Sequence, residues 1–306
     1  MATGRSLVRP GTVEGMRIAT WNINSVRVRV ERALEVMRRH DLDVLALQET
    51  KVTTEKFPVE AFEQAGYQVA AWGLNQWNGV AIISRVGLED VQLGFPGQPG
   101  FGDPEVTEAR ALGATCAGVR VWSLYVPNGR EIAHPHYAYK LAWLEQLRAQ
   151  TAGWLAADPD LQLLLTGDWN VVPTDEDVWS MAAFEGKTHV TPPERAAFEA
   201  FADVGLEELS RRFLPAPHTY TYWDYVQLRF PKNEGMRIDF GYASPALAAR
   251  ATDVVIDRNE RKGKGASDHV PVIFDFADDD AARAARTAAA PGVTPAPAVA
   301  DGPTLF

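Results

Sequence analysis

The chain has 306 residues, of which 46% are hydrophobic, which is enough for a sizeable core in one or two domains. Its formal net charge of −10 argues mildly against a nucleic-acid-binding protein, whose usual footprint is basic, unless the acidic residues gather around a cation. The single cysteine excludes an internal disulfide framework and fits a reducing, cytoplasmic compartment. Neither a long uncharged apolar run nor a secretory signal is recognisable, so no membrane partner is expected.

The two ends of the chain are predicted to lie outside the folded domain, which we place at residues 16–277. Residues 1–15 are expected to form a flexible N-terminal extension, with Met1 and Met16 both open as the translation start. Residues 278–306 are rich in Ala and Pro and nearly free of aromatic side chains, so this tail is expected to be disordered.

Strands and helices alternate along the domain. In chain order we predict a strand (16–24), a helix (27–40), a strand (43–50), a strand pair (67–72 and 79–85), a strand (119–127), a helix (136–157), a strand (163–165), a helix near 192–203 and strands near 219–223, 236–243 and 270–276. Strands outnumber helices and some arrive as hairpins. Two packed sheets flanked by helices are therefore favoured over a parallel doubly wound sheet.

The strand that begins at Leu163 ends in a run of polar and aromatic residues, Asp168, Trp169 and Asn170. Side chains alternate along an extended chain, so Asp168 and Asn170 share one face and Trp169 points to the other. The two polar groups belong either to a functional site or to an Asx-type turn. This stretch alone leaves both interpretations open.

Polar residues also lie in or at the ends of other predicted strands. These are Asn22, Asn24, Glu49, Lys51, Asp239, Asp268 and His269. Each one alone has an ordinary explanation, such as a helix cap, a surface charge or a buried ion pair. Because sites gather where strand ends and loops converge, the whole set predicts one polar cluster.

An oxygen-rich cluster suits a hard divalent cation, Mg²⁺ or Mn²⁺, and the spacings typical of zinc ligands are missing from the sequence. A carboxylate-bound cation beside a histidine indicates phosphoryl chemistry, because the cation stabilises charge on a phosphate oxygen. The sequence has no glycine-rich nucleotide loop, so hydrolysis of a phosphoester is favoured over transfer from ATP.

Seven motifs in succession carry a family resemblance. They are ATWNINSVR, LALQETK, LYVPNGR, LLTGDWNVVPTD, TYTYWDY, GMRIDF and ASDHVPV. In this order they resemble the signature motifs of the exonuclease III group of apurinic/apyrimidinic endonucleases, over residues 16–277. GDWN and SDH alone indicate only the wider endonuclease/exonuclease/phosphatase superfamily, whereas LQETK, YVPNG and the RID context are typical of its DNA-repair branch.

The resemblance implies a four-layer α/β-sandwich with one metal-dependent site at the mouth of its sheets. Glu49 would be the principal metal ligand, and Asn22 and Asp268 would complete the shell. Asp168 and Asn170 would lie on the far side of the scissile phosphate, in contact with it or with a second metal.

The same resemblance implies roles for three further side chains. His269, oriented by Asp239, would act on the attacking water or a phosphate oxygen, or join the metal shell, and Tyr125 would donate to the phosphate. Whether Asp168 or His269 is the base stays open, because coupled groups around a metal share protons.

Several residues are predicted to contact the substrate. Within the motifs these are Asn24, Asn128, Arg130, Tyr222 and Trp223. The two aromatic side chains, Tyr222 and Trp223, would either stack on an extruded abasic sugar or pack in the core. Two clusters of basic residues flank the motifs and predict a surface that binds the phosphate backbone of DNA; the alternative is that both are solvated loops. One cluster is Arg258, Arg261, Lys262 and Lys264, and the other is Arg229, Lys232 and Arg237.

The predicted function is a Mg²⁺-dependent (or Mn²⁺-dependent) DNA-repair hydrolase. It would be a monomer that cleaves double-stranded DNA at abasic sites and trims or cleans 3′ ends. The alternatives are a phosphodiesterase or phosphatase of the same superfamily with a non-DNA substrate, and a catalytically dead DNA- or protein-binding module. The final residues, DGPTLF, resemble short Leu-Phe peptides that dock on the replication sliding clamp, with a random terminus as the alternative.

Overall fold

A computed structural model describes residues 15–278, so nearly all of the predicted tail and of the N-terminal extension lie outside the described residues. The strands within this range are β1 (Gly15–Asn22), β2 (Val44–Gln48), β3 (Gln68–Trp72), β4 (Val80–Ser84), β5 (Glu89–Leu93), β6 (Ala111–Cys116), β7 (Val119–Tyr125), β8 (Leu163–Asp168), β9 (Glu207–Glu208), β10 (Asp239–Ala243), β11 (Ala251–Ile256) and β12 (Val272–Ala277). The α-helices are α1 (Val30–Arg39), α2 (Val59–Gln64), α3 (Pro135–Ala157), α4 (Pro192–Asp203), α5 (Leu209–Phe213) and α6 (Pro245–Ala248).

The strands form two sheets of six. The first sheet has the order β11-β12-β1-β2-β4-β3, and the second has the order β5-β6-β7-β8-β10-β9. Each sheet is mixed, because β1 pairs with β2 and β7 with β8 in parallel, while the neighbouring pairs are antiparallel. This arrangement confirms the predicted pair of packed mixed sheets flanked by helices.

Three apolar cores hold four layers together. One core lies between the sheets and includes Ile18 of β1 and Leu164 of β8. A second joins the first sheet to α1 and α2, through residues such as Met37 and Phe62. A third joins the second sheet to α3 and α4 around Trp169. Burial on both faces explains why the central strands β2 and β8 are apolar or small-residue runs up to their last residues, Gln48 and Asp168, rather than alternating ones.

Most predicted elements are present, with three kinds of difference. The predicted helix at 27–40 divides into a 3-10 turn at Val26–Val28 and α1. The predicted strand near 219–223 is wrong: Tyr222 makes only isolated bridges to Met236 and His269. Strands β5, β6, β9 and β11 and helices α2, α5 and α6 are not predicted from the sequence; in β5 all five residues are exposed and give no apolar pattern. The predicted pairing of residues 67–72 and 79–85 is confirmed by antiparallel β3 and β4.

Among the described helices, none combines the length and the apolar character needed to cross a bilayer.

The different surroundings of two glycines predict that the same substitution changes the free energy of unfolding in opposite directions. A Cβ on Gly241 of β10 would come within 2.5 Å of the Phe274 ring in the gap between the sheets, whereas a Cβ on Gly153 of α3 would meet no atom within 4 Å. We expect Gly241→Ala to lower the free energy of unfolding by about 1–3 kcal/mol. Gly153→Ala should raise it by about 0.5–1 kcal/mol. Urea unfolding measures both, and equal effects of the two substitutions would contradict the packing described.

Candidate active site at the mouth of the two sheets

Side-chain alternation carries polar groups from both sheets into the gap between them. In β1, Ile18 lies in the gap and Trp21 lies under the helices, so Asn22 returns to the gap. In β8, Leu164 lies in the gap and Asp168 follows on the same face. The two strands end at the same edge, and the polar groups of different sheets meet there.

A buried polar layer lies just inside this edge. The side chain of Gln48 donates to Thr20 Oγ1 and to Ser123 Oγ, each at 3.0 Å, and so joins two strands of the first sheet to β7 of the second. Ser123 Oγ in turn donates to the Leu47 carbonyl at 2.8 Å. Because buried polar groups are costly unless paired, these bonds fix the spacing of the sheets beneath the site.

Asn22 joins carboxylates that belong to the two sheets. Its Nδ2 lies 2.9 Å from Glu49 Oε1 and 2.9 Å from Asp168 Oδ2, and it donates to both. Glu49 follows β2, in the left-handed backbone region at φ +49°. Its second oxygen, Oε2, lies 2.8 Å from the ammonium of Lys51. Burial by itself raises the pKa of Glu49, but Lys51 and Asn22 outweigh it and hold that pKa below its usual value.

His269 lies between two carboxylates. Its Nδ1 is 2.9 Å from Asp239 Oδ2, and its Nε2 is 3.8 Å from Asp168 Oδ2. The Trp21 indole donates to the His269 carbonyl at 3.1 Å, and the ring of Tyr222 lies 4.8 Å from the imidazole, centroid to centroid. The imidazole is therefore held at its backbone, its face and one ring nitrogen, and its Nε2 points to the site.

Opposed electrostatic effects act on this group of residues. Burial lowers the pKa of His269, but the charges of Asp239 and Asp168 outweigh burial and raise that pKa to about 10. Burial raises the pKa of Asp168 to about 7, although the charge of His269 lowers it. The gap thus concentrates more negative charge than His269 alone neutralises.

Tyr125 ends β7 at the same edge and is buried. Burial, and then the charge of Glu49, raise the pKa of its hydroxyl well above the usual value. The guanidinium carbon of Arg110 lies 4.7 Å from the centroid of its ring. Tyr125 therefore keeps its proton and can donate a hydrogen bond in the site.

Asn170 faces the site through a set of amide contacts. Its backbone N–H donates to Asp168 Oδ1 at 2.9 Å, and its Nδ2 donates to the Val126 carbonyl at 3.0 Å. Its Oδ1 accepts from Asn128 Nδ2 at 3.2 Å and lies 3.0 Å from Nε2 of His189. His189 is not among the residues predicted from the sequence, because it lies in a loop that follows no strand, and only the tertiary structure brings it here.

The predicted metal shell is only partly assembled in this arrangement. Ligand atoms of Glu49, Asp168 and His269 lie within 4.8 Å of one another. Asp268 stands beside this group: its Oδ1 accepts from Asn24 Nδ2 at 2.9 Å. The roles assigned to all these residues stay predictions.

The two aromatic candidates have different surroundings. Tyr222 is partly exposed and lies against His269. Trp223 has no exposed surface, packs with Tyr220 and Val270, and donates from Nε1 to Asn233 Oδ1 at 3.3 Å. The core-packing alternative therefore describes Trp223, and the predicted stacking on a substrate is wrong for it because the ring cannot reach solvent.

The basic residues predicted to bind the DNA backbone also differ in their exposure to solvent. Arg237 is fully buried beside Asp177, with 3.4 Å between Nε and Oδ1, so its assignment to a surface that binds DNA is wrong. Arg258 and Arg261 lie against aromatic rings of the adjoining loop. Lys262, Lys264 and, across the site, Asn128 and Arg130 are exposed, so these four are available to a polyanionic substrate.

The family model described as the Endonuclease/Exonuclease/phosphatase family matches residues 19–269. The chain belongs to this family. Exodeoxyribonuclease III of Haemophilus influenzae is 31% identical over 277 residues, covering 85% of this chain and 100% of that protein. The resemblance to the exonuclease III group is thereby confirmed, and the protein is an enzyme of a hydrolase family.

Solved structures agree with this membership. The structure of the 3′ phosphatase NExo from Neisseria, bound to a product DNA hairpin, is similar with a TM-score of 0.80 and 34% identity, over 85% of this chain and 99% of that one. An AP endonuclease from Archaeoglobus fulgidus is similar with a TM-score of 0.79 and 33% identity, again over 85% of this chain and 99% of that one.

The contact between His269 and Asp239 predicts coupled losses of activity. A histidine that acts on water or a phosphate oxygen needs a fixed orientation, which the carboxylate on Nδ1 supplies. We expect His269→Ala and Asp239→Asn each to lower kcat by about 10²–10⁴-fold. The double variant should lose less than the product of the two, because the pair acts as a unit. Steady-state cleavage rates at saturating substrate measure kcat for all three variants, and fully multiplicative losses would show that the residues act independently.

Proposed function

We propose that the protein is a Mg²⁺-dependent DNA-repair phosphodiesterase, an abasic-site endonuclease with 3′→5′ exonuclease and 3′-end-cleaning activity on double-stranded DNA. The observation that carries this proposal is the meeting of Glu49, Asp168 and the His269–Asp239 pair in the gap between the sheets. The names of the similar proteins, an exodeoxyribonuclease, a 3′ phosphatase and an AP endonuclease, support DNA as the substrate.

The donor set fits a hard divalent cation. Carboxylates of Glu49 and Asp168 supply oxygen ligands, and Mg²⁺ is often held by one or two carboxylates plus water and substrate oxygens. Burial first, and then the charges of Asp239 and Glu49, raise the pKa of the Asp168 carboxyl group, and this crowding of carboxylates supports a cation in the gap. Asn22 and Asp268 would complete the shell. When bound, Mg²⁺ neutralises charge on a phosphate oxygen and activates a water molecule.

The other side chains around the gap would bind the phosphate or transfer a proton. Tyr125, which keeps its phenolic proton, donates to a phosphate oxygen, and the amide groups of Asn128 and Asn170 orient the phosphate from the other side. His269 presents Nε2 to the reacting group, where it donates to a phosphate oxygen or exchanges a proton with the attacking water. Donors fixed before the reaction stabilise developing charge without reorganisation.

The substrate would lie across the exposed residues at the rim of the gap. Asn24, which bonds to Asp268, and Tyr222, which lies against His269, would border the gap, and the exposed Arg130, Lys262 and Lys264 would extend a cationic surface toward the DNA backbone. We propose residues 16–277 as the catalytic domain of a monomeric, cytoplasmic enzyme. A contact of the C-terminal tail with a sliding clamp is part of this proposal, and the tail lies outside the described residues.

A cleavage assay tests the proposed function. The protein should cut a duplex at a single abasic analogue, and remove a 3′-phosphate from a recessed end, in Mg²⁺ but not in EDTA. Glu49→Gln should lose activity by orders of magnitude while keeping its circular dichroism spectrum, whereas Glu60→Gln, an exposed change on α2, should behave as wild type. Failure to cut either duplex, together with hydrolysis of a non-DNA phosphodiester, would favour the alternative activity.

The exposed lysines predict a change in salt dependence. If Lys262 and Lys264 neutralise backbone phosphates, the log–log slope of DNA affinity against salt should flatten by about 2 in Lys262→Ala/Lys264→Ala, about 1 for each phosphate that is no longer neutralised. The matched double change Arg148→Ala/Arg212→Ala, on helices α3 and α5, should leave the slope as it is. Fluorescence anisotropy with labelled duplex measures the slopes, and an unchanged slope in the lysine variant would show that this loop faces away from DNA.

A further inference from the structure

A buried ion pair lies against the loops that carry Asn128, Asn170 and His189. Lys140 of α3 and Glu194 of α4 have no exposed side-chain surface, and Lys140 Nζ lies 2.5 Å from Glu194 Oε1. Burial lowers the pKa of Lys140, and the charge of Glu194 opposes that change. Burial by itself raises the pKa of Glu194, but the charge of Lys140 holds it below its usual value. The 2.5 Å contact fits an ion pair, and because neither side chain reaches the surface, its remaining hydrogen-bonding capacity must be satisfied inside the protein.

The remaining hydrogen bonds of the pair are made to the loops that carry Asn128, Asn170 and His189. Lys140 Nζ donates to the Asn170 carbonyl at 2.6 Å and to the Asn128 carbonyl at 3.4 Å. Glu194 Oε1 accepts from the His189 backbone N–H at 2.9 Å and from Thr188 Oγ1 at 2.5 Å. Three loops, after β7, after β8 and before α4, are thus tied to one pair of charges.

The residues held in this way are the ones whose side chains meet in the site. Asn128 Nδ2 and His189 Nε2 both contact Asn170 Oδ1. Asn170 and His189 adopt the left-handed backbone region, with φ of +51° and +80°. Non-glycine residues hold such conformations only where their surroundings over-determine them, and here the bonds from the ion pair end on the backbone of these two residues.

We infer that Lys140 and Glu194 are positioning residues, whose pairing sets the amide groups of Asn128 and Asn170 against the scissile phosphate. This inference rests on the proposed function for the identity of the phosphate, but the positioning itself is a property of the loops. A shift of about 1 Å in groups that orient a reacting centre can cost about 100-fold in rate.

The main test replaces both charges at once. Lys140→Met/Glu194→Gln removes the ion pair without leaving one charge buried alone. We expect kcat to fall about 10- to 100-fold, with KM changed less than about threefold, because the exposed DNA-binding surface is retained. Thr188→Val, a milder change that removes the hydroxyl in contact with Glu194 Oε1 and the Asn128 carbonyl, should lower kcat as well, but by less.

A distant ion pair supplies the matched control. Arg17 and Asp275 pair at the other end of β1 from Asn22, with 2.5 Å between Arg17 Nε and Asp275 Oδ1. Arg17→Met/Asp275→Asn should lower thermal stability while kcat stays within twofold of wild type. If the control loses as much kcat as Lys140→Met/Glu194→Gln, the Lys140–Glu194 pair acts only through stability and the inference is overturned.

Hydrogen exchange gives a readout that does not depend on cleavage. Peptides that cover residues 126–131, 168–172 and 186–191 should exchange faster in the Lys140/Glu194 variant, or in Thr188→Val if the double variant does not fold, and not in the control. Unchanged exchange in these peptides overturns the inference even if the wild type cleaves DNA. A wild type that cleaves no DNA defeats the proposed function, and the exchange result still decides the positioning. Cleavage at wild-type kcat by a folded pair variant overturns the inference and leaves the proposed function standing.

Discussion

The side-chain amide of Asn22 is the interaction on which the site depends, because it is shared by carboxylates of two different sheets. One nitrogen donates to Glu49 of the first sheet and to Asp168 of the second. Without that donor, two buried or half-buried negative charges would face each other with less compensation, and like charges this close oppose ionisation. The bridge therefore fixes the distance between the sheets at their mouth, where the polar layer around Gln48 already holds them.

The rest of the architecture follows from the same gap. The inner part of the gap is apolar, and the two sheets pack against each other there. The edge of the gap is polar, and the described side chains neutralise its negative charge only in part. His269, held by Asp239, and Lys51, paired with Glu49, provide some of the counter-charge. On the far side, the Lys140–Glu194 pair holds the loops that present Asn128 and Asn170. A phosphate with its cation would complete the charge balance between these two sides.

Much of this arrangement follows from the sequence, and the exceptions have physical reasons. Alternation along β1 and β8 is enough to place Asn22, Asp168 and Trp169 on their faces, since the strand period is short and local. Trp223 is ambiguous in the sequence because a pattern of neighbouring aromatic residues does not show which one a loop turns inward. The His189–Asn128 contact joins residues 61 apart in the chain and the Lys140–Glu194 contact joins residues 54 apart, so neither leaves a local signal; Glu194 has a local role as the capping-box partner of Thr191 at the start of α4. Such contacts are fixed by tertiary packing of α3 and α4 on the second sheet, which no short motif records.

If the carboxylates joined by Asn22 form a divalent-cation site between the two sheets, a cation should be found in the gap. The most direct test is anomalous diffraction from crystals of the protein grown with Mn²⁺, measured at the manganese edge. We expect a peak in coordination contact with the Glu49 carboxylate, inside the gap that Glu49 shares with Asp168. Anomalous peaks found only elsewhere on the surface, with Glu49 still paired to Lys51 and Asn22 at saturating Mn²⁺, would contradict this expectation.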